Sequence, residues 1–421
     1  MNVRRIAAPV LSFSGTGMKI AELTLAQAAV YAFPLVFAVV CARNLGPANY
    51  GVVAFYTALA AFLGTFIDFG FDSIGVREVH AMTQRHEPEQ VMWSVTLAKL
   101  IVCLLTCIVS VPVLLATRSA AESSMSYAML VYLLAYALDT SWYLRSLELM
   151  RSIMFLSAAS RLAGIVLLLC VVTGQQDMAA AMWTYAFVAW ANAIMCWIVM
   201  HKASVVGKPR LKFPYLRTLF RGGASIVVGN LCGNSITSGG IALLGVLADP
   251  VLTGAANIAL RVRTAGQAIL LPLSQMGFVR LSTLMASDRI AAVALGRRLF
   301  YALMAVSLAV ALLIIVYADA IAALAYGLPV APEPAGVLVR VFAITIPASV
   351  AGVLFGLQSL TLFKQERAYV FVLLSAAAIF FALLLFTSAG RSASYSWAFL
   401  GAEVWTLLAA GLYLRYVVNR A

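Results

Sequence analysis

The chain has 421 residues, of which 63% are hydrophobic and only 11% are charged, and its mean hydropathy is +0.97. Soluble domains carry about a quarter charged residues, so no soluble fold of this length could bury so much apolar surface. The net charge of +13 is first a topology signal, because basic residues collect in the cytoplasmic loops of membrane proteins. Nucleic-acid binding is a poor interpretation, because no large soluble region exists to carry it.

Twelve apolar stretches are long enough to cross a bilayer as helices, which need about 20 residues each. The alternation typical of barrel strands is absent, so the sequence predicts an all-α polytopic membrane protein. We number these predicted spans 1 to 12 in chain order: 18–41, 51–68, 92–115, 125–144, 152–173, 178–200, 222–248, 252–278, 297–318, 336–360, 367–388 and 395–416.

The distribution of basic residues predicts the orientation of the chain. With the amino terminus placed inside, 21 of the 29 basic residues fall on the cytoplasmic side, three fall outside and five lie within spans. This bias predicts that both termini are cytoplasmic. The outside loops are all short, which argues against enzymes that work through a large external domain.

The central basic loop divides the spans into two sets of six. It begins "HKASVVGKPRLKF" and predicts a linker at residues 201–221, between an amino-terminal lobe of residues 1–200 and a carboxy-terminal lobe of residues 222–421. Because six is an even number, the two lobes have the same orientation, as in transporters built from parallel repeats.

Short sequence echoes support this repeat. Residues 47–51 (PANYG) and residues 250–254 (PVLTG) both read Pro-x-x-x-Gly, lie 203 residues apart and each follow the first span of their lobe. A second echo pairs residues 151–155 with residues 367–371. Each echo is weak alone, because Pro and Gly are common in turns, but the matching positions favour two equivalent lobes.

The region around spans 1 and 2 resembles the Wzx-type polysaccharide flippases. Their pattern is a Leu-Gly-Pro-x-x-Tyr-Gly turn, an Asp-x-Gly element and a following Arg-Glu. Here these read Leu45-Gly46-Pro47, Tyr50-Gly51, Asp68-Phe69-Gly70 and Arg77-Glu78. The stretch "LADPVLTGAANIALRVRTAGQAILLPLSQ" of spans 7 and 8 is similar to the same region of these flippases, including its Pro272.

The resemblance implies a member of the multidrug/oligosaccharidyl-lipid/polysaccharide exporter superfamily, with two six-helix lobes around a central cavity. It implies flipping of an undecaprenyl-pyrophosphate-linked oligosaccharide across the bacterial inner membrane for surface polysaccharides such as O-antigen. Such a protein is not an enzyme and needs no cofactor. Its expected partners are the lipid-linked oligosaccharide, the bilayer, and a polymerase and chain-length regulator of the same pathway.

Basic residues inside the spans are the first candidates for the substrate path, because charge at membrane depth is costly and usually faces a cavity. Arg161 and Arg261 each lie about nine residues into a span, close to mid-bilayer. Arg263 lies two residues beyond Arg261 and points in another direction, so we expect one of them to face the cavity and the other a partner. Lys99 and Arg340 are weaker candidates, because each lies close enough to an interface to snorkel.

Span 7 supplies a polar stripe. Asn230, Asn234 and Ser238 lie four residues apart on a Gly-rich helix, which predicts either small-residue packing or a flexible cavity helix that hydrogen-bonds sugar. Under the 203-residue offset Gln27 of span 1 matches Asn230, and Pro34 predicts a kink in span 1.

Energy coupling requires a titratable group, for which Asp68, Asp139 and Glu403 are the candidates. Asp68 ends span 2 and also reads as an interfacial cap, whereas Asp139 is the nearest acid that could pair with an arginine of span 8. The six cysteines predict packing rather than metal or disulfide chemistry, and the spacing of His and acidic residues predicts no metal site.

Two alternatives to the flippase remain. A multidrug or small-molecule antiporter of the same superfamily would require buried acids for cationic drugs, and this chain buries more arginine than acid. A membrane-embedded polymerase or glycosyltransferase is disfavoured by the short outside loops. The sequence contains no P-loop, so it predicts that ATP does not drive the protein directly.

Overall fold

The structure is a computed structural model, which describes residues 16–82, 88–117, 122–207, 213–270, 274, 277, 280–281, 283–284, 289–354, 360, 365–386 and 392–420. Within these ranges the ordered elements are helices, and no strand occurs. Nine helices of the described part are long and apolar enough to cross a membrane. The predicted all-α polytopic membrane fold is confirmed.

The α-helices follow the predicted spans, with short helices added between them. In chain order they are α1 Thr16–Asp68, α2 Phe71–Met82, α3 Pro88–Thr117, α4 Ser123–Ala137, α5 Ser141–Ser146, α6 Met150–Val171, α7 Met178–Lys202, α8 Phe213–Asn234, α9 Gly240–Leu247, α10 Pro250–Ala268, α11 Arg289–Val316, α12 Ala318–Tyr326, α13 Ala335–Gly352, α14 Glu366–Phe386 and α15 Ser392–Arg420. A π-helical turn at Ser235–Gly239 joins α8 to α9 within predicted span 7.

Local chemistry sets the breaks between helices. Spans 1 and 2 run together as α1 except at Gly46, whose φ of 79° and ψ of 169° interrupt the helical path. Glycine adopts a positive φ at little cost, and the following Pro47 has no N–H to continue the preceding helix. At the equivalent turn, the Asp249 carboxylate accepts a hydrogen bond from the Val251 N–H, and Pro250 occupies the first helical position.

The chain forms two compact units. Unit 1 contains the residues up to Phe33 together with Leu59–Leu231, and unit 2 contains Pro34–Ala58 together with Cys232–Ala421. The lobe boundaries at residues 200 and 222 stay a prediction.

Unit 1 is held together by an apolar cluster around α2 and α5. Its buried centre includes Phe71, Met92 and Trp142, and the partly buried Phe69 and Phe220 pack against it. The ring centroids of Phe69 and Phe220 lie 5.5 Å apart, an edge-to-face contact. Elsewhere in unit 1, α7 packs against α4 and α6.

Unit 2 is organised around α13, which packs against α10, α11 and α15, while α14 packs against α15. Aromatic rings fill the space between α13 and α15. Phe342 stacks on Phe399 with ring centroids 4.1 Å apart, and Phe342 also stacks on Tyr395 at 6.1 Å. The helices α10, α11 and α15 therefore form a closely packed group around α13.

The two Pro-x-x-x-Gly turns contact each other within unit 2. A Cβ atom placed on Gly51 would lie 1.8 Å from the carbonyl oxygen of Pro250, and one on Gly254 would lie 3.3 Å from the Cα of Gly51. Arg43, just before the first turn, contacts α12, because its Nε and Nη2 donate to the carbonyl of Leu324 at 2.9 and 2.6 Å. Gly51 thus permits an approach of backbone to backbone that a residue with a Cβ would not allow, and the contact at Gly254 is tight.

Candidate functional site

Five basic side chains lie within the predicted spans, and three of them form ion pairs. Lys99 pairs with Asp72, Arg263 with Glu403 and Arg340 with Asp319. Among the described residues, neither Arg161 nor Arg261 forms an ion pair with a carboxylate. One of these two arginines lies in unit 1 and the other in unit 2.

Lys99 occupies the centre of an acidic group in unit 1. Its side chain is 2% exposed and pairs with Asp72, whose other carboxylate oxygen lies 3.6 Å from Nη2 of Arg145. Asp68 accepts a hydrogen bond from the Asp72 N–H at 3.3 Å, so it caps the first turn of α2, as the cap interpretation predicts. Sequence reasoning missed Asp72, although it follows Asp68 by four residues.

Asp139 is held at the corner between α4 and α5. Its Oδ1 accepts from the Ser141 N–H at 3.2 Å and from Nδ2 of Asn192 at 3.2 Å, and its Oδ2 accepts from the Ser141 hydroxyl at 2.7 Å. Three donors satisfy an ionised carboxylate without a cation in direct contact. Asp139 forms no ion pair with a described residue, and its role in coupling stays a prediction.

Arg161 projects from α6 beside a chain of polar groups. Its Nη1 donates to the carbonyl of Ser157 at 3.0 Å, and the Ser157 hydroxyl donates to Oδ1 of Asn192 at 2.9 Å. The stacked rings of Tyr132 and Tyr185, 5.0 Å apart, also belong to unit 1. Asn192 in turn donates to Asp139, so this carboxylate acts on the Arg161 guanidinium through space and does not contact it. Sequence reasoning missed Asn192, because a single Asn in an apolar helix gives little signal.

Arg263 is the neutralised member of the pair on α10. Its Nε donates to the Thr345 hydroxyl at 2.9 Å, its Nη2 pairs with Glu403, and its guanidinium carbon lies 5.1 Å from the centroid of the Phe399 ring. The side chain is 5% exposed. The acid partner is thus Glu403 on α15 rather than the predicted Asp139, because α10 and α15 both pack against α13.

Arg261 has a different partner. Its Nε donates to Oδ1 of Asn257 at 3.1 Å, one turn earlier on the same helix, and this partner is neutral. The expectation that one arginine of the pair faces a partner is therefore met by Arg263. Arg261 keeps a formal positive charge that no described carboxylate offsets.

The remaining candidates are less informative. Asn230 is exposed, whereas Asn234 and Ser238 are partly exposed; Asn234 directly precedes the π-helical turn and Ser238 lies within it. The side chain of Gln27 lies outside the described residues, so its match to Asn230 stays a prediction. Arg340 pairs with Asp319 at a surface where both side chains are exposed, 42% and 65%.

In the part of the chain that the structure describes, no group of three or more His, Cys, Asp and Glu side chains is arranged to hold a metal ion. All six cysteines are free thiols. The expectation that no cofactor is needed stays a prediction.

Sequence comparison identifies relatives over most of the chain. The family model described as "Polysaccharide biosynthesis protein" matches residues 17–279, more than half of the chain. A candidate O-antigen transporter of Escherichia coli (strain K12) is 23% identical over 278 residues, covering 66% of this chain and 67% of that protein. A second one, of Shigella dysenteriae, is 21% identical and covers 62% of this chain and 66% of that protein.

Solved structures share the fold along nearly the whole length. The lipid II flippase MurJ in an inward closed conformation superposes with a TM-score of 0.67 at 12% identity, covering 94% of this chain and 87% of that chain. An inward-facing multidrug resistance MATE family transporter of the MOP superfamily gives 0.65 at 14% identity, covering 93% and 94%. Identities this low show the fold alone. The family match shows more: the chain belongs to the polysaccharide biosynthesis protein family, and its predicted resemblance to the Wzx-type flippases is confirmed.

Proposed function

We propose that this protein moves a lipid-linked oligosaccharide across the membrane, as a transporter and not an enzyme. The finer proposal is that the substrate is an oligosaccharide on undecaprenyl pyrophosphate, flipped from the cytoplasmic to the periplasmic leaflet of the bacterial inner membrane. Both termini would be cytoplasmic, and the lobes of residues 1–200 and 222–421 would alternate access to a central cavity. A polymerase and a chain-length regulator would receive the product.

One observation carries the proposal: two arginines at membrane depth lack a carboxylate partner among the described residues. Arg161 hydrogen-bonds a backbone carbonyl, and Arg261 hydrogen-bonds an amide. An uncompensated charge inside a bilayer is costly, so its persistence favours a functional anionic ligand. A diphosphate supplies that anion, and guanidinium groups bind phosphate oxygens in a bidentate manner.

The drug-antiporter alternative is not favoured by these contacts. A site for cationic drugs requires buried acids that are free of internal cations. Here the buried ends of Asp72 and Glu403 are each engaged by a fixed cation, Lys99 and Arg263. Asp139 is the exception, because neutral donors hold its carboxylate. Within the described parts of the predicted spans, two arginines without a carboxylate in contact, Arg161 and Arg261, stand against this one acid.

Complementation of a deletion strain tests the proposal directly. We expect the wild-type chain to restore surface polysaccharide, and Arg161→Ala and Arg261→Ala each to reduce export about tenfold or more, since a charged hydrogen bond contributes about 1.5–3 kcal/mol. Arg340→Ala is the matched control, because it removes an arginine whose charge Asp319 already offsets at an exposed site. Lipid-linked oligosaccharide should accumulate in the two impaired strains.

Protein amounts in the membrane must be equal for the comparison to hold. Normal surface polysaccharide in the deletion strain, together with increased drug sensitivity, would contradict the flippase. Normal export by both arginine variants would contradict the assignment of the anion path while leaving the family unaffected.

A further inference from the structure

Among the described residues, the guanidinium of Arg261 is hydrogen-bonded along one edge. Its Nε–H donates to Oδ1 of Asn257 at 3.1 Å, and the two residues share a helix face because they lie four apart. A guanidinium has five N–H donors in one plane, of which four belong to the two terminal nitrogens. With Nε engaged, the fork formed by the terminal nitrogens keeps the geometry that matches two oxygens of a phosphate.

The partner of Arg261 is buried and uncharged. Asn257 is 3% exposed, and Arg261 is partly exposed. Two residues further along α10, Arg263 has the opposite arrangement, because its Nε donates to a hydroxyl and its terminal nitrogen pairs with Glu403. The same helix therefore carries one guanidinium whose charge is cancelled and one whose orientation is fixed without cancelling its charge.

We propose that Asn257 is a positioning residue, which orients Arg261 for the anionic diphosphate of the substrate while leaving the arginine charge available. This inference rests on the proposed function and adds the residue that prepares its anion site in unit 2. A carboxylate at position 257 would have nearly the same shape and would accept the same hydrogen bond. It would also form an internal ion pair with Arg261 and compete with the phosphate.

The proposal predicts an order of effects that a packing role would not give. If Asn257 only filled space, the isosteric Asn257→Asp change would be milder than Asn257→Ala, which removes the side chain. If Asn257 preserves the charge of Arg261, Asn257→Asp is the more harmful change for anion binding and the less harmful one for stability. Binding and stability should therefore move in opposite directions.

The experiment uses the full-length protein in lipid nanodiscs and undecaprenyl pyrophosphate as the probe. We expect Asn257→Asp to weaken probe binding at least tenfold, close to the loss in Arg261→Ala, and Asn257→Ala to weaken it about threefold. The thermal midpoint of Asn257→Asp should equal or exceed that of the wild type, and that of Asn257→Ala should be lower. Weaker salt dependence of binding in Asn257→Asp would reflect the lost charge.

Three outcomes would overturn the inference. The first is wild-type binding by Asn257→Asp, and the second is a larger binding loss in Asn257→Ala than in Asn257→Asp. The third is failure of Asn257→Asp to fold, because a carboxylate placed 3.1 Å from a guanidinium would be paired and stable. If Arg261→Ala binds the probe like the wild type, the anion site of the proposed function fails together with this inference. If Arg261→Ala loses binding but the Asn257 variants give one of the three outcomes above, only this inference fails.

Discussion

Removing the carboxylate of Glu403 tests whether its pair with Arg263 locks unit 2 together or carries a transported proton. The two side chains are 15% and 5% exposed, so Glu403→Ala would leave a buried guanidinium beside the neutral Thr345 hydroxyl and the Phe399 ring. Breaking one side of a buried ion pair costs about 3–5 kcal/mol. The remaining hydroxyl and the ring face offset part of this, so we expect the free energy of unfolding to fall by about 3 kcal/mol.

The double variant Arg263→Met with Glu403→Leu is the matched control. It leaves no buried charge and keeps the volume, so its free energy of unfolding should lie within about 1 kcal/mol of the wild type. Unfolding in mixed micelles of dodecyl maltoside and SDS, followed by tryptophan fluorescence, measures both variants. A double variant as unstable as Glu403→Ala, or a wild-type stability for Glu403→Ala, would refute the reasoning.

Export by the double variant then separates the two roles of Glu403. If the pair is a lock, the stable double variant exports polysaccharide at close to the wild-type rate, because packing alone holds α10, α13 and α15 together. If Glu403 carries a proton, the double variant is stable but does not export. A stable variant without export would therefore assign Glu403 to coupling.

Two further predictions concern the turns on the predicted outer side. Gly51→Ala should lower the free energy of unfolding by about 1–3 kcal/mol, because its Cβ would lie 1.8 Å from the Pro250 carbonyl oxygen. Gly233→Ala should be tolerated, since no described atom lies within 4 Å of a Cβ placed there. Equal losses of stability by the two variants in thermal denaturation would contradict this prediction. Hydrogen bonds from the backbone of Thr173 and its neighbour hold the pKa of Asp177 below its ordinary value. The ionised Asp177 carboxylate therefore stabilises the folded protein above about pH 4, and this contribution is lost as the pH falls through the lowered pKa. The difference in thermal midpoint between the wild type and Asp177→Asn should therefore shrink from pH 7 to pH 3.

The helices could be predicted from the sequence because hydropathy and chain breaks are local properties. Predicted span 10 at residues 336–360 begins one residue after α13 begins at Ala335, and the Gly46-Pro47 break lies where composition placed it. Gly46 has a positive φ that its residue type favours, so the break follows from the sequence alone. The π-helical turn at Ser235–Gly239 was not predictable, because it replaces one hydrogen-bond register with another within the same apolar stretch.

The site was less predictable because its partners are distant in sequence. Choosing between Arg261 and Arg263 required knowing that Glu403, 140 residues away, meets Arg263. Helix periodicity showed only that the two arginines point in different directions. Asn257 was in principle detectable, since it lies one turn before Arg261, but an isolated Asn on a helix is more often a local packing residue.

The two units treat their buried carboxylates differently, and this bears on coupling. In unit 2, Glu403 and Arg263 form a one-to-one pair, so a proton on Glu403 would leave a net positive charge buried. In unit 1, Lys99 pairs with Asp72, Asp68 and Asp139 act on it through space, and Nη2 of Arg145 lies 3.6 Å from Asp72.

Asp139 is the member of this group whose carboxylate is held by neutral donors, so a proton on Asp139 breaks no ion pair, whereas a proton on Glu403 breaks its pair with Arg263. Proton binding is therefore electrostatically easier at Asp139 than at Glu403. Asp139→Asn keeps the shape and removes the carboxylate charge. We expect this variant to export without responding to collapse of the proton gradient by an uncoupler. Because Asp139→Asn leaves the Arg263–Glu403 pair intact, export that still stops with the uncoupler would place the proton elsewhere than in unit 1.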